Sequence, residues 1–155
     1  MISDASPLIF LGRIGQLALL KRLFGSVVIP IEVRTEILVE GRPATIAVSN
    51  AIDEGWIKAA EVKNNPEIGI KGGERHAINL ARERKDQLLI DDAIAIKAAK
   101  ALGIETIRTT TVIFMAAGKG IISKKEAVSL INKLIDAGYY ISPKYYSVIL
   151  GRLGS

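Results

Sequence analysis

Cysteine is absent from this 155-residue chain, which excludes disulfides, thiolate nucleophiles and zinc sites built on sulfur. Histidine occurs once, at His76, so no histidine-rich metal site exists and a Ser-His-Asp relay would rest on that one residue. No apolar run approaches the roughly 20 residues that a membrane-spanning helix needs. The opening Met-Ile-Ser-Asp also lacks the basic and long apolar stretches of a secretory signal. A cytoplasmic protein without a membrane partner is the expectation. Internal repeats, low-complexity stretches and interdomain linkers are missing as well. If a metal is bound, its ligands must be oxygens, which favours Mg²⁺ or Mn²⁺.

What is present fits one folded domain. Apolar residues make up 49% and charged residues 24%, and the length suffices for a real core. The net charge is +5. A basic surface around an acidic centre suits a polyanion, although a charge of this size also simply aids solubility.

Hydrophobic periodicity predicts strands at 1–4, 27–31, 56–62, 87–90 and 104–107. Helices are expected at 7–11, 16–24, 31–40, 44–54, 74–84, 92–102, 112–117, 124–137 and 143–150. Pro7 suits a first helical turn, where its missing N–H costs nothing. Strands alternating with helices specify a parallel sheet covered on both faces, a three-layer α/β/α sandwich.

Five acids stand at the junctions of this pattern: Asp4, Glu36, Glu74, Asp91 and Asp92. In open parallel sheets, ligands bind beyond the carboxyl ends of the strands. Carboxylates gathered there repel one another unless a cation lies between them. Glu74 heads an apolar stripe formed by Ala77, Ile78 and Ala81, where a carboxylate must be paired or must coordinate something. A plain helix-dipole partner in the first turn is the simpler alternative. Of the adjacent Asp91 and Asp92, one is expected to face the cluster and the other to cap the next helix. Asp4 with Ser6 also fits an ordinary turn into a helix. Glu36 shares four-residue spacing with Glu32 and Glu40, which usually marks a solvated face. Thr109, Thr110 and Thr111 are expected to cap the helix after the last strand. Trp56, Phe24 and Phe114 read as core, and the tyrosines at 139, 140, 145 and 146 as tail packing or contact surface rather than base-stacking groups.

Asp4-Ala5-Ser6 after a first strand, Ile29-Pro30 with Val33 and Glu36, Gly73-Glu74 with Ala77 and Ala81, and Leu89-Ile90-Asp91-Asp92 with Ala98 recur in one order. Together they resemble the PIN-domain nucleases over nearly the full length. The closest likeness is to a prokaryotic subfamily similar to the toxins of toxin–antitoxin pairs, here with a C-terminal helical extension from about 123. Glu74 stands where the family more often has Asp, and Arg108-Thr109 where Gly-Thr is more usual. The resemblance implies a Mg²⁺- or Mn²⁺-dependent endoribonuclease. Asp4 and Asp92 (or Asp91) would be direct ligands, Glu36 and Glu74 direct or through water, and Ser6 and Thr110 would orient them. Arg42, Lys71, Arg75 and Lys97 are the candidate phosphate contacts. RNA, a cognate antitoxin covering the cleft, and a homodimer are the partners it implies.

Two rival enzymes fit less well. A haloacid-dehalogenase-type phosphatase needs a second Asp at position 6, where this chain has Ser6, and a receiver domain distributes its acids differently. A catalytically inactive module that binds RNA or a protein partner is the remaining alternative.

Overall fold

The computed structural model describes residues 1–39, 41 and 43–154. Five strands, Ile2–Ser3 (β1), Val27–Pro30 (β2), Ile57–Ala60 (β3), Leu88–Leu89 (β4) and Thr106–Ile107 (β5), lie parallel in the order β3-β2-β1-β4-β5. The described helices are Ala5–Arg13 (α1), Ala18–Phe24 (α2), Ile31–Val39 (α3), Pro43–Glu54 (α4), Gly72–Arg84 (α5), Ala93–Ala101 (α6), Thr109–Gly118 (α7), Lys124–Asp136 (α8) and Pro143–Leu153 (α9).

Side-chain alternation along the strands builds the three layers. Val27, Ile29 and Leu89 point to one face, where they join α1, α4, α7 and α8 in the larger core cluster. Ile2, Leu88 and Ile90 point to the other face and pack with Ala77, Ile78 and Ala81 of α5 and Ala95 and Ala99 of α6. Burial on both faces explains why these strands read as continuous apolar runs rather than as alternating ones. Leu130, Ile131, Ile149 and Leu153 carry α8 and α9 into the larger cluster. Among the described residues, no helix is long and apolar enough to cross a membrane.

Element order follows the sequence pattern throughout, and the differences lie at the ends. α1 begins at Ala5 rather than 7, and α7 at Thr109 rather than 112. β3 and β5 are shorter than expected, with Trp56 and Ile104 just before them still buried in the two core clusters.

Candidate active site

The strand order decides where a site can form. From β1 the chain steps outward to β2 and β3, then returns across the sheet to β4 on the other side of β1. β1 feeds α1 on one face and β4 feeds α6 on the other, so a crevice opens between the carboxyl ends of these two strands. The backbone locks its walls together, with the Asp4 N–H donating to the Leu89 carbonyl at 3.0 Å. Asp4 closes β1; Asp91 and Asp92 follow β4.

Asp4 is the buried centre of the cluster, only 5% exposed. It occupies the N-cap position of α1, yet its side chain accepts no capping hydrogen bond of good geometry. The adjacent Ala5 N–H compensates in part, but burial outweighs it, and the charges of Glu74, Glu36 and Asp91 add to the effect. The carboxyl pKa is thereby raised to about 7. Glu74, half-buried at the head of α5, is raised too, first by burial and then by the charges of Asp92 and Glu36.

Glu36 reaches this cluster through a gap left by Gly73. A Cβ at Gly73 would lie 2.8 Å from Glu36 Oε2 and 3.8 Å from Asp4 Oδ1. The missing side chain is therefore the space through which two carboxylates approach each other. Sequence pattern alone assigned Glu36 to a solvated stripe. It is indeed exposed, but its head group turns inward over α5.

The adjacent aspartates divide the work differently from an either-or choice. Asp92 caps α6, accepting from the Ala95 N–H at 2.8 Å, while its charge still bears on Glu74. Asp91 is held on both oxygens: Oδ1 accepts from the Thr109 N–H at 2.9 Å and the Tyr139 hydroxyl at 2.6 Å, and Oδ2 from the Thr109 hydroxyl at 2.6 Å. Tyr139 packs edge-on against Phe10, with ring centroids 5.2 Å apart. Burial and the charge of Asp91 push its hydroxyl pKa well above the ordinary range, so it remains a donor.

Three expectations are placed differently by the geometry. Of the expected hydroxyls, the one bonded to an acid is that of Thr109, which opens α7 opposite the end of β4 and donates to Asp91. Thr110 Oγ1 is buried beside the Tyr139 hydroxyl without a hydrogen bond of good geometry. Ser6 lies exposed in α1 and, among the described residues, bonds to none of the acids. Arg75 is committed to the β3–α5 loop, donating to the Asn65 carbonyl at 2.6 Å with Glu67 3.7 Å away, rather than free to meet phosphate. Lys71 and Lys97 are exposed, and Arg42 lies outside the described residues. Tyr139 was missed as a site residue: it is 48 positions from Asp91, and nothing local marks it.

These donors fit a hard divalent cation. They are all oxygens, they surround a carboxyl whose pKa is raised to about 7 by burial first and by neighbouring charges second, and a glycine keeps the space between two of them open. Among the described residues, no three acids already converge as a closed cage. Mg²⁺ commonly takes one or two carboxylates and keeps its waters, so a closed cage is not what it requires.

A family model described as PIN domain matches residues 1–155. Among solved structures, a PilT N-terminus domain protein from the hyperthermophilic archaeon Sulfolobus solfataricus P2 is similar at a TM-score of 0.56. Its identity is 23% over 72% of this chain and 90% of that one, a likeness of fold. No curated protein matches. The chain belongs to the PIN-domain family, whose members are generally nucleases that use divalent metal ions.

Proposed function

We propose that this protein is a Mg²⁺- or Mn²⁺-dependent endoribonuclease, acting in the cytoplasm as the toxin of a toxin–antitoxin pair. The observation that carries the reading is Asp4, buried at the topological switch point among Glu36, Glu74 and Asp91, with no cation paired to it among the described residues. Asp4 and Asp92 would hold the ion directly, with Glu36 and Glu74 direct or through water. Asp91, held by the Thr109 N–H, the Thr109 hydroxyl and the Tyr139 hydroxyl, would fix the far wall.

A divalent ion, when bound, supplies Lewis-acid charge for phosphodiester hydrolysis and acidifies a coordinated water. The residues of the chain supply the rest. Asp4 would have to give up its proton to hold a cation, so metal binding is expected to strengthen as pH rises through about 7. Gly73 keeps the approach between Glu36 and Asp4 open, and Lys71 and Lys97 are free to meet substrate phosphates. A homodimer, and an antitoxin covering the acidic crevice, complete the proposal.

The test is incubation of purified protein with structured RNAs in Mn²⁺, Mg²⁺ or EDTA, beside an Asp4→Asn, Asp92→Asn double variant. Metal-dependent cleavage lost in the variant supports the reading. Equal behaviour of both proteins under every metal sinks it. A catalytically inactive RNA- or partner-binding module is the second reading, favoured by the lack of a closed three-acid cage among the described residues. Retained RNA binding without cleavage would select it.

A further inference from the structure

Beside the acids, on the β5 side of the crevice, lies a cavity of about 450 Å³ between the start of α7 and the start of α9. Arg108, Tyr139, Tyr140, Ile141, Ser142 and Tyr145 line it. Its size falls in the roughly 300–1,000 Å³ range of small-ligand sites. Other cavities of comparable size lie elsewhere. One of about 420 Å³, for instance, mixes Arg82, Lys85, Asp86 and Glu105 at the opposite end of the sheet.

The chemistry of this wall is specific. Tyr140 is 83% exposed and Tyr145 36% exposed, so two aromatic side chains stand open to solvent at one cavity. Ser142 Oγ accepts from the Tyr145 N–H at 3.1 Å and fixes the backbone at the rim. Arg108 is exposed and, among the described residues, in no ion pair. The inner wall is Tyr139, whose hydroxyl is bonded to Asp91. Cavity and acid cluster are therefore one hydrogen bond apart.

We propose that this cavity is a subsite for one unpaired nucleotide of the substrate strand, its base stacked on Tyr140 and Tyr145 and its phosphate held by Arg108. The proposal rests on the nuclease reading for its location beside the reacting phosphate. Stacking on tyrosine needs an open base face, which a base inside a duplex does not offer. The subsite therefore selects single-stranded RNA and tolerates any base, because every base has a π-face. Tyr139 is not part of the stacking platform: Phe10 and Asp91 hold it from both ends.

The experiment measures anisotropy of a fluorescein-labelled hexauridine and of a short RNA duplex on the full chain in EDTA, where cleavage is off. A Tyr140→Ala, Tyr145→Ala variant is expected to bind hexauridine about tenfold or more weakly, by the loss of stacking. The corresponding double Phe variant should stay within about twofold of wild type, since the aromatic faces remain. Arg108→Gln should weaken binding and lower the salt slope by about 0.7, one single-strand phosphate. Duplex binding should be unaffected by the Ala variant. Unfolding midpoints near wild type keep the comparison to folded proteins, and the Phe variant supplies it if the Ala variant fails to fold.

Equal binding by wild type and the Ala variant, or no binding by wild type, overturns the subsite. So does a wild-type dimer in sedimentation that the Ala variant converts to monomer without loss of hexauridine binding; the face would then be an interface between copies. Cleavage in Mn²⁺ is scored separately. Tyrosine-dependent binding without cleavage keeps the subsite and removes the nuclease reading, whereas cleavage with intact binding in the Ala variant does the reverse.

Discussion

Asp4 and Asp91 end neighbouring strands of one sheet, and the molecule treats them in opposite ways. Asp91 receives three hydrogen bonds, from the Thr109 N–H, the Thr109 hydroxyl and the Tyr139 hydroxyl. Asp4 is more deeply buried and receives little more than partial help from the Ala5 N–H, while three carboxylates crowd it. A buried carboxylate supplied with donors is fixed in place, and one left without them is a site waiting for a cation. The difference separates a residue whose role is position from a residue whose role is charge.

The largest expected effect follows from removing the charge. Asp4→Asn should cost at least about 100-fold in metal-dependent cleavage, on the scale of losing one electrostatic partner in an active site. It should leave the fold intact, since a carboxyl with its pKa raised to about 7 already carries its proton about half the time near neutral pH. Cleavage rates beside circular dichroism spectra check both halves; a variant as active as wild type would break the contrast.

Removing position should cost less. Tyr139→Phe deletes one of three donors to Asp91, and about a tenfold loss in activity or in apparent metal affinity is expected, as for other groups that orient a ligand. Titration with Mn²⁺ at fixed RNA concentration measures it. An effect as large as that of Asp4→Asn would put Asp91 among the direct ligands.

Gly73→Ala sharpens the comparison from the opposite side. The new Cβ would meet Glu36 Oε2 at 2.8 Å, and this flexible head group can swing away, so the fold should hold. A several-fold drop in cleavage with an unchanged thermal midpoint is the expected pair of results.

The last effect is on stability rather than on activity. In metal-free protein, folded Asp4 keeps its proton up to about pH 7, whereas the unfolded chain loses it near the ordinary value of 3.8. The folded state then binds more protons across that window, and stability falls as pH rises from about 4 to about 7. Each unit of difference corresponds to about 1.4 kcal/mol. Urea midpoints in EDTA should show this decline in wild type and a flatter profile in Asp4→Asn. Equal slopes would mean that Asp4 is not the group under strain.

Much of this was legible in the residues. Apolar runs two to four residues long, punctuated by helical stripes, placed every strand and helix in order. Asp4, Asp91 and Asp92 fell just past strand ends because a strand exits the core where its polar residues begin, whereas Glu36 lies inside α3 and Glu74 in the first turn of α5. The errors share one cause. The run Thr109–Thr111 reads as helix capping, with Thr110 as support by resemblance, because local pattern has no means of saying which hydroxyl of a threonine run meets β4. Arg75 read as a free cation because the loop that binds it folds back from ten residues earlier.

The sequence by itself determined the parallel sheet buried on both faces and the order of its elements, with Asp4, Asp91 and Asp92 just past strand ends and Glu74 in a first helical turn. These follow from composition and from side-chain periods of 2 and 3.6 residues, which are local. Tertiary structure alone decided that the chain crosses from β3 to β4 so that β1 and β4 flank a crevice. It also turned Glu36 inward over Gly73, and brought Tyr139 across 48 residues to Asp91. Such contacts depend on how separate elements pack, and no period within one element encodes them.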